Sequence, residues 1–255
     1  MKTLRKILFS LVLFVLSAPV IAAETGSTDG ASSGEWEKYF EVYGWMPQLN
    51  ITTADGTGVK LTLGDLLKNL DMLAMFDFGA RKDKWSVAMD VIYMNLGAKE
   101  TISGSILDHP EDVDVNIDMR SFISTVNAGY QISSSDTNRL DFIGGVRYLY
   151  IRMPVDVDLT DNLTKSARPS GHSWNGIVGL EGVRTINDNW YFDYYADVGT
   201  GQADLTWQTK LGFGYNFNKW TGTFGFRYLR FDFSDGDAFK DMDVIGPYLG
   251  AKWTF

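Results

Sequence analysis

The sequence predicts an all-β fold, an antiparallel up-and-down transmembrane barrel of ten strands. Three observations predict it. After residue 36 apolar residues recur almost everywhere with a period of two. The connections between these alternating segments are short and long by turns. Tryptophans and tyrosines gather at segment ends, where a barrel meets the two membrane interfaces.

The first segment is not part of that pattern. Lys2, Arg5 and Lys6 precede an apolar run from Ile7, and small residues follow at Ala22 and Ala23. This is the layout of a secretory signal peptide, expected to span 1–23 and to be cleaved near Ala22 or Ala23. Residues 24–35, ETGSTDGASSGE, read as a flexible polar linker, and the barrel is expected over 36–255. The rest of the chain has no apolar run long enough for a spanning helix.

Ten alternating segments follow, at about 37–47, 72–82, 85–98, 115–133, 139–153, 173–186, 190–199, 204–217, 220–233 and 243–255. The clearest is LTWQTKLGFGYNF. Leu205, Trp207, Leu211, Phe213, Tyr215 and Phe217 share one face; Gln208, Lys210, Gly212 and Gly214 share the other. Short connections lie at 82–84, 133–138, 187–189 and 218–219, with longer ones near 48–71, 99–114, 154–172 and 233–242. The short turns belong on the periplasmic side and the long loops outside. An even count returns both termini to the periplasmic side; merging two segments would give eight strands. Trp36, Trp85, Trp190 and Trp220 open strands on the short-turn side, while Tyr93, Tyr150 and Trp207 lie towards the other. In the first long loop, Leu63, Leu66, Leu67 and Leu70 at helical spacing predict a short amphipathic helix.

Alternation alone fits a soluble sheet as well; the content of the second face decides. With Phe255 and Trp253 facing lipid, the opposite parity collects Glu41, Asp77, Arg81, Asp90, Arg147, Glu181, Asp193, Asp197, Lys210, Arg227 and Lys252. It also collects Gly79, Gly145, Gly179, Gly212, Gly225 and Gly250. Glycine weakens an exposed strand, but inside a narrow barrel it makes room for long neighbours. The final strand is then expected to close on the first, leaving no free edge.

These features together resemble Gram-negative outer-membrane β-barrel proteins, and among them the small opacity-protein and OmpA-like barrels. The terminal AKWTF is the most specific piece of the likeness. The resemblance implies residence in the bacterial outer membrane among lipid and lipopolysaccharide. It also implies Trp253 and Phe255 as a signal read by the barrel-assembly machinery.

Composition narrows the chemistry. There are 23 basic and 32 acidic residues, net −9, and removing the three leader cations gives −12. So acidic a chain lacks the basic footprint of a nucleic-acid binder. With no cysteine, thiol catalysis, cysteine-held metals and disulfides are excluded. His109 and His172 are the only histidines. In LDHPED, Asp108 and His109 are adjacent, unlike the Asp-x-His pair of omptin proteases. In GHSW, His172 and Ser173 are adjacent, unlike the His-x-Ser of lipid A deacylases, and neighbouring strand residues face opposite ways. Asp108, Glu111, Asp112, Asp114 and Asp118 in one loop, and Asp232, Asp235, Asp237, Asp241 and Asp243 in another, read as solvated acidic rims; the second faintly resembles a calcium loop but lacks its regular ligand spacing. No enzyme, cofactor or metal is expected. The expected role is envelope structure, or narrow passive permeation of ions and small solutes along the charged lumen. The alternatives are a rim enzyme cleaving lipid or peptide, and an adhesin or receptor working through its loops.

Overall fold

The structure is a computed structural model that describes residues 34–53, 58–61, 64, 70–102, 113–160, 163–234 and 237–255. The expected signal peptide, nearly all of the expected linker, Asp108, His109, Glu111, Asp112, Asp235 and the expected helix positions Leu63, Leu66 and Leu67 lie outside the described residues.

The strands, in chain order, are β1 (Glu37–Trp45), β2 (Gln48–Thr53), β3 (Gly58–Leu61), β4 (Leu70–Lys82), β5 (Trp85–Ile102), β6 (Val113–Ser135) and β7 (Asn138–Arg152). They continue as β8 (Val155–Thr160), β9 (Leu163–Ala167), β10 (Ser170–Thr185), β11 (Trp190–Gly201), β12 (Leu205–Asn216), β13 (Thr221–Asp232) and β14 (Phe239–Thr254). Ten of them form the wall, hydrogen-bonded in the order β1, β4, β5, β6, β7, β10, β11, β12, β13, β14. β14 returns to β1 from Tyr39↔Thr254 to Trp45↔Tyr248, so the sheet is closed and no free edge is left along that seam. All neighbours are antiparallel. The count is ten, as the alternation predicts.

The remaining four strands extend the wall outside, where the sequence reading has only loops. β2 prolongs β1 along β14 in one unbroken register, since Trp45↔Tyr248 is followed by Gln48↔Ile245. Pro47 lacks an N–H and interrupts the ladder between them. β3 pairs with β2, β8 with the outer end of β6, and β9 with β8. Leu70 begins β4, so the expected helix cannot run that far.

The short turns sit at one end. Between β4 and β5, Asp83 takes a φ of 53°, a left-handed conformation that aspartate tolerates. Parity then sorts every strand. Val42, Phe78, Val126, Phe142, Val178, Leu211, Phe213, Phe224 and Leu249 point outward, forming an apolar belt with the large side chains 38–56% exposed. Aromatic pairs edge the belt on both sides. Trp85 meets Tyr130 and Trp190 meets Tyr215, each with centroids 4.9 Å apart, on the short-turn side. Tyr148 meets Trp174 at 4.6 Å and Trp207 meets Tyr228 at 4.5 Å towards the long-loop side.

The interior corrects one expectation. The charged, glycine-rich face does not run the length of the barrel. The outer half of the lumen is packed with Trp45, Leu49, Ile51, Met75, Met94, Met119, Leu149, Ile151, Met153, Leu229, Phe231, Met242 and Val244, all buried. Parity cannot see this, because these residues share the face of the charges but, on the strands that carry both, sit two to ten positions further along. Apolar side chains can fill such a space with no partners to satisfy, whereas charges cannot.

Candidate functional site: the barrel lumen

Below the apolar half lies a layer of buried ion pairs. β7 carries Arg147 and β11 carries Asp197, brought together through the intervening β10. Both side chains are fully buried and ion-paired. Arg147 also donates to Thr125 Oγ1 at 3.2 Å and Thr206 Oγ1 at 3.0 Å. Next to it, Arg227 on β13 reaches across to Asp90 on β5 at 2.5 Å. Arg227 further donates to Gln208 Oε1 at 2.7 Å and the Tyr43 hydroxyl at 2.9 Å, and lies 4.9 Å from the Trp45 ring. Tyr43 in turn donates to Asp90. Each guanidinium thus spends several N–H groups at once, as buried charge requires.

The periplasmic half holds a cavity of about 310 Å³. Glu41 and Asp77 stand opposite each other on β1 and β4, and Asp77 opposite Asp90 on β5, so three carboxylates line one arc. Lys210 and Arg227 are opposite each other on β12 and β13, and Lys252 faces Glu41 from β14. Glu41 accepts from Thr223 Oγ1 at 2.5 Å and Asp77 from the Tyr39 hydroxyl at 2.9 Å. Lys252 sits 4.2 Å over the Tyr39 ring and Lys210 5.4 Å from that of Tyr248. Lys210, Lys252, Glu181 and Asp193 border the cavity and form no ion pair among the described residues. Arg81 pairs with Asp141, which Arg139 also approaches at 3.3 Å.

All eleven charges singled out from parity therefore line the inside. Asp141 and Arg139 were missed, although they share the parity of Arg147 on the same strand. The hydroxyl partners Tyr39, Tyr43, Thr125 and Thr223 were missed as well, and Thr206 and Gln208, although on the polar face, had no assigned partner; only a cross-strand register reveals these pairings. The glycines make room as expected, for tyrosine as well as for charge. A Cβ on Gly250 would stand 2.8 Å from both Glu41 Oε1 and Thr223 Oγ1, and one on Gly79 2.7 Å from the Tyr39 ring. Trp253 takes the outward parity of β14, and both it and Phe255 are exposed.

The histidine expectations meet a different setting. His172 lies within β10 rather than in a loop, on the outer surface opposite Tyr150, while Ser173 is buried inside and accepts from Asn175 Nδ2 at 2.8 Å. Adjacent strand residues have taken opposite faces. Of the second acidic loop, Asp232 and Asp243 pair with Arg230, and Asp241 accepts from Thr52 Oγ1 at 3.0 Å. Among the described residues no group of acids and histidines could hold a metal ion.

A closed ten-strand wall, an apolar outer belt edged by aromatic pairs and a polar inner core define a transmembrane β-barrel of the outer-membrane type. No protein-family model matches the sequence, and no curated protein matches it either. Among solved structures the chain is similar to the outer membrane protease OmpT from Escherichia coli, with a TM-score of 0.48 and 12% identity over 90% of this chain and 100% of that one. It is also similar to the translocator domain of the autotransporter NalP from Neisseria meningitidis, with a TM-score of 0.47 and 15% identity over 88% and 90%. A third is Ail, the attachment invasion locus protein of Yersinia pestis, with a TM-score of 0.36 and 12% identity over 86% and 98%.

Proposed function

We propose that this barrel serves envelope structure and is closed to solutes at rest, the charged lumen acting as a polar plug and not as a permeation path. One observation carries the reading: the cavity stops at the Arg147 and Arg227 layer, and beyond it Leu229, Phe231, Met119, Met153, Leu149 and Ile151 are at most 2% exposed. An ion leaving the cavity outward would lose its water with nothing to replace it. The test is liposome swelling in a pentose solution. Vesicles holding the refolded protein should swell no faster than empty ones; swelling at a porin-like rate would overturn the reading.

The role is non-enzymatic. His172 and Ser173 on opposite faces of β10 favour this, since they cannot act on one substrate. Its partners are the surrounding lipid and lipopolysaccharide, and during biogenesis the assembly machinery, read through Trp253 and Phe255. Deleting Phe255 should lower the folded fraction in cells while leaving refolding in vitro intact; unchanged folded yield in cells would remove it as a signal.

A further inference from the structure

On the outer wall, just beyond the aromatic edge, Arg120 of β6 and Arg152 of β7 are directly opposite each other. Both are exposed. Asn95 stands beside Arg120 on β5 and Ser170 beside Arg152 on β10, so one cross-strand row reads Asn95, Arg120, Arg152, Ser170. The row beneath, one step towards the membrane, reads Tyr93, Phe122, Tyr150, His172. Exposed Arg168 lies two residues before Ser170, and exposed Asp118 two residues further out than Arg120.

Like charges directly opposite on a sheet repel each other, so a bare pair of arginines is unfavourable unless an anion bridges it. Neither Arg120 nor Arg152 forms an ion pair among the described residues. Elsewhere on this outer rim the chain does neutralise its own cation: Arg230 pairs with Asp232 at 2.6 Å and Asp243 at 2.8 Å. The contrast is local and specific. Two planar guanidinium forks, flanked by an amide and a hydroxyl, match the oxygens of a phosphate. Their place above an aromatic row on the lipid-facing wall is the height of a headgroup, with acyl chains running down along Phe122 and Tyr150.

We infer that the Arg120–Arg152 row is a docking site for the phosphorylated headgroup of an outer-leaflet lipid. The inference rests on the barrel's placement in the membrane and is independent of whether the lumen conducts.

The test uses the refolded chain in phosphatidylcholine vesicles with and without phosphorylated lipid A, reading the thermal unfolding midpoint. The wild type should melt higher with the phosphorylated lipid than without it. Arg120→Gln/Arg152→Gln should lose that increment, as should the wild type given dephosphorylated lipid A. Arg230→Gln should retain it. Both replaced arginines lie outside the core and repel each other, so the double variant should fold; the single Arg152→Gln, losing most of the increment, provides a second reading. An equal increment in the double variant, or with dephosphorylated lipid, overturns the proposal. So does an equal increment from inorganic phosphate alone, which would mean an anion site without lipid.

Discussion

Replacing Arg147 with methionine keeps an unbranched, flexible side chain, shorter than the original, and removes its charge. The structure sets the size of the effect. Arg147 and Asp197 are both wholly buried, so the carboxylate left behind has neither a cation nor bulk water. Removing one partner of a buried pair costs about 3–5 kcal/mol. The lost bonds to Thr125 and Thr206 add less, because Thr206 keeps a second partner, donating to the Arg230 carbonyl at 3.0 Å. Taking out both ends, as Arg147→Met/Asp197→Leu, should return most of that loss, since an apolar pair of similar volume is about neutral in such a site. Arg227→Met should be milder, about 1–2 kcal/mol, because Asp90 borders the cavity, keeps the Tyr43 bond and can regain water. The assay is urea unfolding from lipid vesicles followed by tryptophan fluorescence. If Arg147→Met lies within about 1 kcal/mol of wild type, or the double variant is as unstable as the single, the dry ion-pair layer is refuted.

Three further outcomes follow from the same geometry. Leu211→Arg puts a charge on the lipid face near the middle of β12 and should cost about 2–4 kcal/mol in the same unfolding assay. Parity alone would make Gln208→Arg mild. The structure instead places Gln208 as the acceptor for Arg227, so an arginine there should cost about 2–3 kcal/mol, while Gln208→Glu should be tolerated. Gly145→Ala would drive a Cβ to 2.7 Å from the Asn127 Cα, a backbone atom that cannot give way, and should cost about 1–3 kcal/mol and slow refolding.

Strand count, closure, the sidedness of the loops and the inward face of every named charge were legible because a membrane barrel obeys one rule in each direction. Side chains alternate along a strand, and connections alternate around the wall. Depth along the lumen was not legible. Met119, Ser121, Ile123 and Thr125 share one face of β6, yet only the register to β7 shows that the first lies in the apolar half and the last on Arg147. The two hairpins were hidden for another reason. VDVDLT and LTKSA alternate as strands do, but each is short, and nothing local says whether such a run joins the wall or rides on it. Cross-strand coincidences such as Arg120 against Arg152 are likewise invisible until the register is known.

The claim that the apolar outer half seals the lumen is tested most directly by single-channel recording of residues 24–255 refolded into a planar bilayer. A heat-modifiable, folded protein should give no discrete steps, and Leu229→Ala/Phe231→Ala, which opens space in that half, should introduce them. Discrete steps from the wild type that shrink when Arg147 and Arg227 are neutralised would contradict it, and would make the charged layer the lining of an open pore.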